Sequence, residues 1–206
     1  MCLYINVNAQ ENIIGLNKAR QMALAETIHI PIGYQAPEFG LPDTVSGKMI
    51  SLKELAGSKG TLVMFICNHC PYVVHVRDKL IELANTFQPN GIQFMAISSN
   101  DCLNYPDDSP EKMKELAVKL NFPFPYLYDE TQKVAKAYDA SCTPDFSLFD
   151  ANLTCVYRGR LDASTPGNNI PITGGEMIQA LDGVLNDLAP ISHQIPSIGC
   201  SIKWKQ

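Results

Sequence analysis

The sequence predicts an α/β domain, a central mixed β-sheet flanked by helices, and three observations carry that prediction. Strand-length apolar runs alternate with segments of helical periodicity, helix starts are marked by capping residues, and two late strands are joined by a hairpin signal. The chain has 206 residues, 46% of them hydrophobic and 18% charged, enough for one full-sized core with appendages. Residues 1–35 read as an N-terminal extension, 36–188 as the domain, and 189–206 as an extended C-terminal tail.

The elements follow in order. A weak helical pattern runs around Ile13 to Ala25 and breaks at Pro31 and Gly33. Ser51-Leu52-Lys53-Glu54 is a capping box, in which hydroxyl and carboxylate each satisfy a free amide. Thr61 to Ile66 is a continuous apolar run, as expected of a strand covered on both faces. Val73, Val76, Leu80, Leu83 and Phe87 then recur at 3.6-residue spacing, opposite a polar face with His75, Arg77, Asp78, Lys79 and Glu82. Gly91 stops that helix, and Ile92 to Ser98 is a second buried strand.

Ser109 and Pro110 suit the N-cap and first position of a helix reaching Leu120. Pro125 to Tyr128 reads as an edge strand and Thr131 to Tyr138 as a short helix. Asp145 to Phe149 and Leu153 to Arg158 are strands joined by Asp150-Ala151-Asn152. Pro166 to Gly175 is a loop, after which Thr173 and Glu176 resemble a second capping box.

The formal net charge is −5, with basic residues scattered singly, which argues against nucleic-acid binding. No apolar run approaches the roughly 20 residues of a membrane span. The first residues lack a basic start and a sustained apolar core, so a cytoplasmic location is the expectation. Seven cysteines, at positions 2, 67, 70, 102, 142, 155 and 200, are odd in number and irregular in spacing, unlike a secreted disulfide scaffold. Cys155, inside an apolar strand pattern, reads as a small core residue.

Cys67-Asn68-His69-Cys70 is different, because it falls where a buried strand passes into a long helix. Residues three apart at a helix start share a face, and the helix N-terminus favours a thiolate over a thiol. Thiolate is the nucleophile of disulfide exchange. Cys67, nearest the exposed end, is assigned as the attacking thiol and Cys70, one turn deeper, as the resolving one. His69 can donate a hydrogen bond or partial charge to the thiolate. Two other readings stay open: plain core thiols, or an irregular zinc or copper site completed by Cys142, His69 or His75. No second CxxC exists to build a regular zinc site.

Ala36-Pro37-Glu38-Phe39, Leu41-Pro42-Asp43, Gly47-Lys48 and Ser51-Leu52 resemble the opening of the redoxin group, which holds the alkyl hydroperoxide reductase/thiol-specific antioxidant proteins and thioredoxin-like reductases. Cys67-Asn68-His69-Cys70-Pro71-Tyr72 resembles the CxxC site of the thioredoxin superfamily, and Thr143-Pro144 its cis-proline loop. The late Gly199-Cys200-Ser201-Ile202-Lys203-Trp204 is similar to the end of peroxiredoxin-like members with a Cys-Asn-His-Cys-Pro motif. The resemblance implies a thioredoxin-like fold, with Thr143 and Pro144 lying against the pair and their backbone able to pair with an extended substrate. It also brings Cys142 near the pair as a third redox thiol, a ligand or a bystander. Cys200 reads as a resolving thiol on the tail or as an exposed one.

Departures from the family pattern point towards dithiol exchange. With Cys70 in the peroxidatic position, the expected Thr is Cys67, the acidic residue Val73 and the proline Val63; no arginine lies between Asp139 and Asp150. The groups that polarise a peroxide are therefore missing. The buried acid that thioredoxins keep before the CxxC is also missing from Thr61 to Ile66, leaving Asp145, Asp101 or water for that task. The function expected is thiol–disulfide oxidoreductase on protein or small-molecule disulfides, renewed by a thiol reductant (a thioredoxin or glutathione system). Thiol peroxidase is the alternative and a copper- or zinc-binding protein the third reading. Neither cofactor nor metal is expected. Arg160 and Asp162 read as a structural ion pair.

Overall fold

The computed structural model describes residues 24–27 and 32–206. The chain enters through β1 (Leu24–Glu26) and a hairpin of β2 (Gly40–Pro42) and β3 (Met49–Ser51). Ser51 caps α1 (Leu52–Leu55) with the predicted box: its hydroxyl accepts from the Glu54 amide and the Glu54 carboxylate accepts from the Ser51 amide. Next come β4 (Gly60–Phe65), α2 (Pro71–Phe87), β5 (Ile92–Ser98) and α3 (Pro110–Lys119), the last capped by Ser109 with Pro110 in its first turn. They are followed by β6 (Tyr126–Tyr128), α4 (Lys133–Ala137), β7 (Cys142–Thr143), β8 (Asp145–Asp150), β9 (Cys155–Tyr157), α5 (Gly175–Leu185) and β10 (Ile198–Ser201).

The central sheet has the order β6-β5-β4-β8-β9, with β4, β5 and β6 parallel and β8 and β9 antiparallel. Every residue of β4 is buried, as its unbroken apolar run demands. Leu62 and Met64 pack with Val73, Val76, Leu80 and Leu83 of α2, while Val63 and Phe65 face Leu52, Ala135 and Tyr138 on the other side. Each such side chain contributes about 1.5–3 kcal/mol by leaving water. β4 is thereby clamped at the centre, and its C-terminal end aims the chain into the turn before α2. No described helix is long and apolar enough to cross a membrane.

Several expectations are corrected. The C-terminal segment is no loose tail: β10 pairs antiparallel with β1 on one side and β7 on the other. Cys200 and Lys203 are buried. Of the helical pattern around Ile13 to Ala25, residues 13–23 lie outside the described ones, and Leu24 and Ala25 belong to β1, where pairing with β10 overrides weak helical periodicity. The box at Thr173 does not form. Gly174, with φ 69°, takes the N-cap of α5, and Asp162 from a distant loop accepts from the amides of Thr173 and Gly174 at 2.7 and 2.6 Å. Arg160 pairs with Glu176 at 2.7 Å rather than with Asp162. His75 is not simply solvated, since its Nε2 lies 2.7 Å from Ser164 Oγ. Cys155 is a buried core residue, as its strand pattern predicts.

Candidate active site

The site grows from the C-terminal end of β4. The Ile66 amide still donates to the Ile97 carbonyl (3.0 Å), continuing the ladder to the next strand. The chain then turns through Cys67, Asn68 and His69, and Cys70 becomes the N-cap of α2. Pro71 suits the first helical position because its absent amide hydrogen would have had no partner there. The two cysteines therefore do not share a first helical turn as predicted: Cys67 lies in the preceding turn and Cys70 at the cap. The turn, not helical periodicity, sets their spacing.

The Thr143–Pro144 peptide bond is cis, and Thr143 touches both sulfurs. Its Oγ1 lies 3.4 Å from Cys67 Sγ, and its carbonyl accepts from the Cys70 thiol at 3.1 Å. A third sulfur completes the group. Cys200, on β10 opposite Thr143, joins Cys67 as a thiol able to donate to Cys70. These donors, Cys200 first and Cys67 second, hold the Cys70 thiol far below its ordinary value. Cys67 is pushed well above, because its proton is held by Cys70, because it is buried, and because the Asp108 carboxylate is close. Cys200 is raised for the first two of these reasons, its own proton held by Cys70 and its burial. Of the three, Cys70 is the thiol whose ionisation its surroundings favour. No disulfide joins the described cysteines.

Asp108 was not singled out in the sequence, and it is the carboxylate that meets Asn68 and His69 of the motif. It is fully buried at the end of a short 3₁₀ turn (Pro106–Asp108), with Oδ1 accepting from the Asn68 amide and Oδ2 from the Asn100 side chain, both at 2.8 Å. His69 Nδ1 lies 2.6 Å from the same Oδ2, and the imidazole stacks on Tyr105. Contact with Asp108 raises the His69 pKa against the opposing effect of burial. The predicted acids are elsewhere. Asp101 binds the loop it begins, and Asp145 is fully buried beside Arg158 at 3.5 Å, with burial pushing it up to about 6. The only available signal for Asp108 was its place just before a Ser-Pro helix cap, and a cap motif says nothing about a contact 40 residues away.

Ligand atoms of Cys67, His69 and Asp108 lie within 4.8 Å of one another. His69 Nδ1 and Asp108 Oδ2, at 2.6 Å, stand closer than two donors on one zinc ion with bonds of roughly 2.0–2.2 Å in tetrahedral geometry. The His69–Asp108 contact is too short for two ligands of one such ion. Cys142 sits behind the cis proline, its thiol against Thr27 Oγ1 and the Pro144 and Ser197 carbonyls, and burial raises its pKa. Arg158 donates to Ser147 and to the Asp139 carbonyl besides facing Asp145.

Known proteins agree with this architecture. An uncharacterised conserved protein from Geobacillus kaustophilus is 54% identical over 89% of this chain and 97% of its own, with a TM-score of 0.88. A hypothetical protein from Sinorhizobium meliloti is 40% identical over 87% and 98%, with a TM-score of 0.85. The thioredoxin domain of a thiol-disulfide oxidoreductase from Bacteroides vulgatus, 20% identical over 63% and 89% with a TM-score of 0.54, shares the fold. No curated protein matches. The AhpC/TSA family model matches residues 32–158, and the chain therefore belongs to the AhpC/TSA family, as a redoxin of thioredoxin-like fold.

Proposed function

We propose that the protein is a thiol–disulfide oxidoreductase in which Cys67 attacks and Cys70 serves as the resolving thiol. The observation that carries this reading is the pair of sulfurs on one residue, Thr143, with a thiolate favoured at Cys70 and its proton donor at Cys67. Cys67 lies in the turn ahead of α2 and Cys70 at its cap, and Cys67 is the sulfur assigned to meet a substrate first.

As Cys67 attacks one sulfur of a substrate disulfide, it gives up its proton and the other substrate sulfur leaves with that proton as a thiol. Cys70 then attacks Cys67 Sγ, closing the Cys67–Cys70 disulfide and releasing the second substrate thiolate. The substrate gains two electrons and the pair loses them. An external thiol reductant, of the thioredoxin or glutathione class, returns them. His69, charged beside Asp108, offsets the carboxylate that would otherwise oppose thiolate formation at Cys67. The Pro144 ring and the Thr143 side chain border the substrate. Cys142 is a packing thiol in this scheme. The guanidinium of Arg158, a group able to polarise a peroxide, is engaged by Asp145 and Ser147.

The test equilibrates the protein across a series of glutathione redox buffers and maps disulfides by mass spectrometry. A reversible Cys67–Cys70 bridge, lost in Cys67→Ser, is the expected result. Failure of the two sulfurs to bridge at any poise overturns the reading.

A further inference from the structure

In a thioredoxin-like site the backbone before the cis proline is a short open edge on which an extended protein substrate pairs, by main-chain hydrogen bonds as in strand addition. Here that edge is taken. Cys200 of β10 stands opposite Thr143 and Ser201 opposite Cys142 in an antiparallel register. The Ile202 amide donates to the Ser141 carbonyl at 3.1 Å. Narrow pairs alternate along an antiparallel ladder, so Thr143 and Cys200, two residues on, are again a narrow pair that exchanges both backbone bonds. The residue ahead of the cis proline thus has its backbone saturated from within the chain.

The fit is close. A Cβ on Gly199 would run into the Thr143 carbonyl oxygen, so only glycine lets β10 lie this near. On its far side β10 is held by β1, and beyond it the Lys203 carbonyl accepts from the Asp101 amide. β10 is therefore anchored on both flanks, and it presents a cysteine at the place where a docked peptide would present its own. The three cysteines are 0–3% exposed. Beside Pro144 lies a cleft of ≈ 220 Å³, lined by Tyr72, Phe146, Leu161, Ser164 and Ile198 and too small for a folded polypeptide, and a second hollow borders Asn68 and His69 on the outer side of the motif.

Resting on the dithiol reading above, we infer that β10 permanently occupies the peptide-docking edge and that the substrate is a low-molecular-weight disulfide, admitted through the cleft at Pro144, rather than a protein disulfide. The reaction is the exchange already written, with a small disulfide as oxidant.

The experiment compares kcat/KM for bis(2-hydroxyethyl) disulfide and for insulin, with one reductant, in the full-length protein and in Gly199→Val. The wild type is expected to favour the small disulfide by roughly tenfold or more after correction for intrinsic reactivity against free dithiothreitol. Gly199→Val, which forces β10 from the edge, is expected to narrow that ratio by raising insulin reduction. Equal corrected rates in the wild type overturn the inference while leaving the dithiol reading intact. Turnover of neither substrate overturns the dithiol reading instead. Should Gly199→Val fail to fold, the wild-type ratio alone decides. A folded Gly199→Val with an unchanged ratio also overturns the inference.

Discussion

Cys70 and Cys142 make an instructive pair. Both are fully buried, and both contact the Thr143-Pro144 segment, yet their thiols shift in opposite directions. Cys142 meets carbonyl oxygens and the Thr27 hydroxyl in a site dominated by burial, which disfavours charge. Cys70 meets two thiol donors at the start of a long helix, which favours it. Burial alone therefore does not decide whether a cysteine is inert. The donors that replace water decide it.

The widest contrast is expected from removing sulfur on each side of that comparison. Cys67→Ser should lower disulfide-reductase kcat/KM by about 1,000-fold or more, whereas Cys142→Ala should leave it within about twofold. A large loss in Cys142→Ala would break the distinction. A smaller effect is expected at Asp108. Asp108→Asn should reduce activity roughly 10- to 100-fold. It should also cost about 1–3 kcal/mol of stability, by disturbing buried bonds to Asn68 and Asn100. Because Asp108 raises the His69 pKa, the contribution of charged His69 is complete below the ordinary histidine value and is lost as pH rises through the folded value. An NMR titration of His69 should therefore move to lower pH in Asp108→Asn. An unmoved titration would remove Asp108 from the account.

Stability against pH sharpens the comparison further, because the two thiols carry opposite signs. The depressed Cys70 pKa means that its contribution is present above the unfolded thiol value and fades as pH falls towards the folded one. For Cys142 the raised pKa means that its contribution is present below the unfolded value and is lost as pH rises beyond it. Urea unfolding of the reduced protein should thus show a rise in stability with pH up to the ordinary thiol range. Cys70→Ser should flatten that rise, and Cys142→Ala should soften the alkaline fall. The smallest effects are expected at the start of α5: Thr173→Ala should change stability by about 0.5 kcal/mol or less, while Asp162→Ala should cost about 1–3 kcal/mol. The reverse order would restore the capping box that the fold lacks.

Much of the scaffold was legible in the chain. The capping box at Ser51, the Ser109-Pro110 helix start, the buried runs of β4 and β5 and the periodicity of α2 all depend on residues a few positions apart, where local physical rules apply. The position of Cys67 and Cys70 between a strand and a helix was legible for the same reason. Thr173 and Glu176 also fitted a local rule and broke it, since Asp162 and Arg160 offered those groups stronger partners.

Taken by itself, the sequence determined the α/β order, the strand-to-helix junction and the two sulfurs held there, because periodicity and capping act over one or two turns of chain. Tertiary structure alone decided that Asp108 meets Asn68 of the motif, that Cys70 is the thiol favoured to ionise, and that Cys200 arrives on a paired strand rather than a loose tail. Those outcomes depend on groups distant in sequence meeting where water is excluded. No local pattern encodes such a meeting; only the packed fold creates it.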